Sequence, residues 1–371
     1  MFTTPGVHKL SLQSQNLATA SVDPISSQTN DRAFCKPDGP GSLHRQAIVG
    51  FNYSSPVGSV SFEKLQHVLN LNEKFHINMG GGHGIFNGNR ECISRMLTGF
   101  GLQQAEDKND PGATLVETHF AKHSPCPLSD EKCRDRGRIL LQTEQLLSWT
   151  QLNQCHASPN CVIADFSQYN LYQERRKDVG DSVVLLPIMT QTPSRLVEHE
   201  PSFIKPLEHR SIDIIFYGSP TNRRKIFAEE EEYYKTHGYP ERNITFITNR
   251  GVAETGKVEM MSEAYADAKV CVVVHSYSSE AGGEYHRYSE FAPFGCVPVV
   301  EHISDYISVE ALERCGRFNF VSARLVFQRA IEIVGMIHRG MYQDEEVKSM
   351  TQWWRDGIQW ESLFSDLGLH R

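Results

Sequence analysis

Residues 1–45 are rich in Ser, Thr, Gln, Asn, Pro and Gly, with apolar residues only scattered among them. Such a composition buries too little apolar surface to offset the entropy of ordering, and it predicts a loosely held N-terminal arm. From residue 46 the pattern changes. Ala47–Tyr53 (AIVGFNY) reads as a first strand, and Phe62, Leu65, Val68 and Leu69 then recur at helical spacing. Short β-like runs follow at Ala113–Val116, Arg138–Gln142, Cys161–Ala164 and Val183–Leu186. Pro193, Pro201 and Pro206, among mixed charges, mark residues 193–210 as a linker.

After the linker, apolar runs alternate regularly with helical stretches. Asp213–Tyr217 (DIIFY) predicts a strand, with a helix opening near Asn222. Ile244–Thr248 predicts the next strand, and a helix follows around Val258–Ala268. Val270–His275 (VCVVVH) is almost wholly apolar, the signature of a strand buried on both faces of a parallel sheet. A helix near Glu284–Phe294 and strands at Val297–Val300 and Phe318–Val321 come next. Leu325, Val326, Ala330, Ile331, Val334 and Ile337 then outline an amphipathic helix. The last segment carries Trp353, Trp354 and Trp360 and predicts a helix docked on the body. Strands separated by helical or loop stretches predict an α/β layer structure, and after the linker the βαβαβ series is the doubly wound pattern. The expected divisions are an arm at 1–45, a first domain at 46–200, a second at 201–340 and a helical segment at 341–371.

Length and charge narrow the partners. A chain of 371 residues suits two domains of about 100–200 residues each. The net charge of −8, without a dense basic patch, argues against nucleic acid as the main partner. No run approaches the ~20 apolar residues that a membrane span needs. The N-terminus lacks a basic region followed by an apolar core, so no secretory signal is expected. Nine cysteines, an odd number without tight repeats, predict reduced thiols and a cytoplasmic protein. The acceptor patterns at Asn52 and Asn243 are then read as chance.

Open α/β sheets bind ligands beyond the carboxyl ends of their strands, so chemistry is sought there. After Asp213–Tyr217 come Gly218, Ser219, Pro220, Thr221, Asn222, Arg223, Arg224 and Lys225, where a helix begins. Main-chain N–H groups and arginine forks suit a diphosphate. The plain alternative is a basic, solvated helix face. After Val270–His275 come Tyr277, Glu280, Gly282, Gly283, Glu284, His286, Arg287 and Glu290. Glu284, Arg287 and Glu290 share one helix face, either an exposed ion-pair stripe or a site. Gly80–Gly84, with His83, forms a third loop that lets backbone approach a ligand or simply makes a turn. His119, His123, Cys126 and Cys133 do not form a common zinc frame, and no Asp-x-Asp occurs, so no metal is expected.

Glu290–Val300 (EFAPFGCVPVV) resembles the glutamate–helix–Gly–x–Pro–Val–Val segment of glycosyltransferases with the two-Rossmann GT-B fold. The runs DIIFYGSPTNRRKIF, RILLQTEQL (Arg138–Leu146) and CVIADFSQYN with a following LLPIM resemble a bacterial and viral branch of that group. Together they cover most of residues 138–301. The resemblance implies an α/β fold of two Rossmann-like, doubly wound domains facing a cleft, and a hexosyltransferase-like enzyme that moves a sugar from a nucleotide-sugar donor to a hydroxyl of a glycan or other acceptor. It implies that Glu290, five residues before Gly295, binds the donor ribose. The sequence departs from the group at Gly282, where many retaining members carry a Glu, and Pro298 stands one residue late. Retention or inversion is therefore open.

The residues and the resemblance together assign a donor site. Ser219, Arg223, Arg224, Lys225 and Arg287 are expected at the diphosphate, and His275, Tyr277, Gly282 and Gly283 at the sugar. Glu284, Asp165 and His83 are the catalytic candidates, with Glu144 as a further base. Fixed cations would stabilise the leaving group without metal or other cofactor. A non-catalytic nucleotide- or carbohydrate-binding module on this fold, or a sugar-nucleotide epimerase, are the competing readings, since fold alone does not choose.

Overall fold

A computed structural model describes residues 33–371, apart from 54–59, 80–86, 119–123, 125, 128, 143–149, 168–169, 171–181, 187–204, 218–224, 226–228, 231, 234–235, 237–244, 250–262, 276–283 and 305. Two parallel sheets organise it, as the alternating pattern predicts.

The first sheet comprises β1 (Lys74–Asn78), β2 (Gln103–Gln104), β3 (Ala113–Thr118), β4 (Arg138–Gln142), β5 (Cys161–Asp165) and β6 (Val183–Leu185). Their spatial order is β2-β1-β3-β4-β5-β6. The second comprises β7 (Ile212–Tyr217), β8 (Phe246–Asn249), β9 (Ala268–Val273), β10 (Val297–Glu301) and β11 (Asn319–Val321), in the order β11-β10-β9-β7-β8. All described pairings are parallel. In each sheet the chain steps outward once and then returns to the other side of its starting strand. This creates topological switch points between β1 and β3 and between β7 and β9, where doubly wound proteins open a crevice. The strands β3, β4, β5 and β9 are buried at every residue, which explains the apolar stretches Leu115–Val116, Ile139–Leu141, Cys161–Ala164 and Val270–Val273 within them.

The N-terminal part departs from expectation in three places. Ala47–Tyr53 is not a strand but lies within helix α1 (Leu43–Tyr53). Leu43, Ala47 and Phe51 recur every fourth residue and are buried, while Val49 is exposed, so the run carries a helical period. Strand β1, KFHIN, escapes notice because it is short and polar at every second position, with only Phe75 and Ile77 fully inside. The arm is held from residue 33 onward. Cys35 is bonded to Cys315, and the Trp353 indole donates to the Gly41 carbonyl over 2.9 Å. Residues 1–32 lie outside the described residues.

Helices α2 (Val60–Asn70), α3 (Asn87–Gly99) and α4 (Thr150–Ala157) belong to the first half. Helices α5 (Tyr285–Phe291), α6 (Tyr306–Arg314), α7 (Val326–His338) and α8 (Asp344–Arg355) belong to the second. The supposed linker is partly built into that second half. Arg210 is buried, and its guanidinium donates to the carbonyls of Ala268 at 2.7 Å and Gly295 at 3.0 Å. The C-terminal segment serves both halves. Trp353 and Trp354 of α8 enter the second core, whereas Trp360 and the short helix α9 (Leu363–Asp366) enter the first. His44 on α1 meets Asp366 on α9 at 2.6 Å. Burying Trp360, Leu363 and Phe364 contributes about 1.5–3 kcal/mol for each side chain.

The cysteines overturn a further expectation. Cys35–Cys315, Cys126–Cys133, Cys155–Cys161 and Cys271–Cys296 are disulfides, leaving only Cys92 as a thiol. Reduced thiols were the ground for a cytoplasmic setting, and that ground is removed. Cys35 and Cys315 are 280 residues apart and meet only through the fold, whereas Cys126–Cys133 and Cys155–Cys161 are seven and six apart and lay within reach of local spacing. Among the described residues no helix is long and apolar enough to cross a membrane.

Candidate functional site at the carboxyl edge of the second sheet

The carboxyl ends of β9 and β10 carry an ionisable cluster, and β9 is one of the two strands that flank the switch point. Beyond β9 the chain continues through Val274 to His275, whose side chain is 1% exposed. Neighbouring β10 ends in Glu301, an acid with 2% exposure at the close of an apolar strand. The His275 main-chain N–H donates to Glu301 Oε2 over 3.0 Å. His275 Nε2 lies 3.1 Å from the His302 carbonyl, so that nitrogen must carry a proton to bond there. Nδ1 turns toward Glu284 Oε1 at 3.7 Å. Glu284 stands immediately before α5 and, through Oε2, accepts from the Arg287 guanidinium.

Electrostatics follows from this arrangement. Burial alone would lower the pKa of His275, but the hydrogen bond and charge of Glu284, with Glu301 behind, raise it above the ordinary imidazole value. Burial likewise opposes charge on Arg287, and Glu284 and Glu290 outweigh it. The result is a chain of alternating acidic and basic groups, Glu301–His275–Glu284–Arg287, at a sheet edge.

Helix α5 holds that chain in place. Its Tyr285 and Tyr288 are buried and meet edge-on, with Tyr288 also packed 4.9 Å from the Phe318 ring centroid. A 3-10 turn, Ala292–Phe294, continues the helix to Gly295. Gly295 has φ +74°, and a Cβ there would come within 2.6 Å of Val347 Cγ1. The glutamate-to-glycine spacing thus has a local mechanical reason: the chain must reverse tightly against α8 after one short helix.

The structure brings together His275, Glu284 and Arg287, with Glu290 half-buried on the same helix. Their ion pair is partly buried and tied to the sheet, unlike a solvated stripe. Lys225 is helical and exposed. Ser219, Arg223, Arg224, Tyr277, Gly282, Gly283, His83 and Glu144 lie outside the described residues. Asp165 ends β5 in the other sheet and is completely buried. Its Oδ1 accepts from the Ser167 N–H at 3.0 Å and from Asn170 Nδ2 at 3.1 Å, so the carboxylate shapes the loop after β5.

Glu301 was missed by sequence reasoning, and its available signal was the acid terminating VPVVE. The first sheet holds another unanticipated pair. Glu117 Oε2 lies 2.5 Å from Arg138 Nη1, both buried, and Asn78 Nδ2 reaches Glu117 Oε1 at 3.3 Å. Cys126 and Cys133 are bonded to each other and so are not thiolate ligands for zinc. Among the described residues no cluster of three or more His, Cys, Asp or Glu fits a metal. A cavity of about 520 Å³ is lined by Cys35, Arg314, Arg317, Gln343 and Trp353 and shares no lining residue with the His275–Glu284 cluster.

No protein-family model matches the chain, and no curated protein matches it in sequence. Among solved structures, it is similar to an alpha-glucosyltransferase in complex with UDP and a 13-mer DNA containing a HMU base. That likeness has 11% identity and a TM-score of 0.49, covering 80% of this chain and 98% of the other. TarM is similar at 11% identity and TM-score 0.46, over 71% of this chain and 55% of that one. CalG4, the calicheamicin glycosyltransferase, is similar at 8% identity and TM-score 0.35, over 80% of this chain and 97% of that one. At such identities and scores, no residue role passes to this chain.

Proposed function

We propose that the protein is a GT-B glycosyltransferase that binds a nucleotide-sugar at the carboxyl edge of its second sheet. The observation that carries this reading is the largely buried Glu301–His275–Glu284–Arg287 chain at the carboxyl ends of β9 and β10, with β9 one of the two strands that flank the switch point. Doubly wound sheets place ligands there, and fixed charge at such an edge suits a charged donor.

In the proposed assignment Arg223, Arg224 and Lys225, with Ser219 and Arg287, meet the diphosphate. Glu290 takes the ribose hydroxyls. His275, Tyr277, Gly282 and Gly283 line the sugar subsite, and Glu284 is the carboxylate at the reaction centre. Asp165 and His83 are the candidates for an acceptor-side base, and the burial of Asp165 ranks it second. An acceptor hydroxyl oxygen forms a bond to the anomeric carbon while the bond from that carbon to the diphosphate oxygen breaks. The diphosphate leaves with the electron pair, stabilised by fixed cations without metal, and the hydroxyl proton passes to the base. The acceptor is proposed to be a glycan or other hydroxyl compound, because the net charge of −8 disfavours a polyanion such as nucleic acid.

The test is a thermal-shift and hydrolysis screen with UDP-, GDP- and other sugar nucleotides, with and without a chelator. Stabilisation by one donor, lost in Glu290→Ala, supports the reading. Absence of any shift or hydrolysis, with Glu290→Ala indistinguishable from the parent, overturns it.

A further inference from the structure

We propose that this protein folds and works in an oxidising compartment, and that its acceptors are therefore glycoconjugate hydroxyls exposed to that compartment. The second clause rests on the glycosyltransferase reading; the first does not.

Eight of the nine cysteines are consumed in pairs. Their Cα–Cα separations of 5.5, 5.5, 5.1 and 5.7 Å all suit a disulfide. The pairs lie in unrelated parts of the fold. Cys35–Cys315 ties the N-terminal arm to the end of α6, and Cys126–Cys133 closes the loop before β4. Cys155–Cys161 staples α4 to β5, and Cys271–Cys296 joins β9 to the turn before β10. A chain kept reduced has no need to place four separate pairs at bonding distance.

These pairs are not built as redox catalysts. None has the Cys-x-x-Cys spacing, and Cys133, Cys155, Cys161, Cys271, Cys296 and Cys315 are buried. The remaining cysteine, Cys92, lies in the first core, where burial pushes its thiol far up and makes it unreactive. Structural disulfides of this kind form where a protein disulfide donor accepts electrons. Each pair of thiols loses two protons and two electrons, the donor's disulfide becomes a dithiol, and the mature chain is eight hydrogens lighter. Glycans of secreted and surface molecules share such a compartment, and genomic DNA does not.

Cells that make the protein are lysed directly into denaturant containing N-ethylmaleimide, so that buried thiols, Cys92 included, are exposed and blocked before any can oxidise. The purified chain is denatured without reductant, digested and mapped by mass spectrometry. Modification of Cys92 alone, with four linked peptide pairs, is the expected result. Maleimide on any of the eight paired cysteines overturns the compartment. Donor-induced thermal shift on the same preparation tests the glycosyltransferase reading separately. With a donor found, transfer to surface glycoprotein glycans is expected, and transfer only to DNA overturns the acceptor class.

Discussion

Nε2 of His275 lies 3.1 Å from the main-chain carbonyl of His302, while Nδ1 of the same ring lies 3.7 Å from Glu284. One imidazole therefore joins the loop after β10 to the start of α5. Protonation of Nδ1 completes the bridge, since a carboxylate only accepts.

That geometry makes part of the stability depend on pH. Glu284 and Glu301 overcome the burial penalty and raise the pKa of His275 in the folded state. A raised pKa means that the folded state binds the proton more tightly than the unfolded chain. The contribution is full below the unfolded value of about 6.5 and is lost as pH rises through the folded value. The difference in unfolding free energy between the parent and His275→Gln should therefore shrink from pH 6 to pH 9. A constant difference across that range, measured by urea unfolding, would show that Glu284 does not sense the ring charge.

Glu290 is expected to act on donor affinity and little on folding. It is half-buried on α5, whose packing is provided by Tyr285, Tyr288 and Phe291. Losing a hydrogen bond from a sugar hydroxyl to a charged group costs about 1.5–3 kcal/mol, which is more than tenfold in Kd. Calorimetric titration of Glu290→Ala with the donor should show that loss, with an apo Tm near the parent value. Equal affinities would remove Glu290 from the site.

Gly295→Ala should do the reverse. The left-handed φ of +74° strains any side chain, and the added methyl meets Val347 on α8. A cost of roughly 1–3 kcal/mol is expected from backbone strain, visible as a lower urea midpoint.

Much of this fold is written locally. CVIA, VCVVV and VPVV are apolar without interruption, and strands buried on both faces tolerate little else. The spacing of Glu284, Arg287 and Glu290 likewise announces a shared helix face. KFHIN announces nothing comparable, since only Phe75 and Ile77 face the core and five residues carry too short an alternation. AIVGFNY misleads because its apolar density hides the four-residue spacing of Leu43, Ala47 and Phe51. Glu301 joins the site through a neighbouring strand, and Cys35 finds Cys315 from 280 residues away. Such partners are properties of the sheet order, which short windows of sequence do not contain.

The same non-local logic gives the C-terminus its expected importance. Trp360 is buried among residues of the first core, although α8 just before it packs in the second. Around it, Glu361 pairs with Arg95 at 2.5 Å and Asp366 with His44 at 2.6 Å, so helices α3 and α1 both hold this segment. The two ion pairs are partly exposed and add little. The indole is the main anchor, and Trp360→Ala should cost about 3–5 kcal/mol by loss of buried surface and creation of a cavity. Hydrogen exchange should then rise in α1, α3 and α9 while β9 and β10 keep their protection. Uniform loss of protection across both sheets would instead mean that the two cores unfold as one cooperative unit, with the C-terminal segment as the coupling between them.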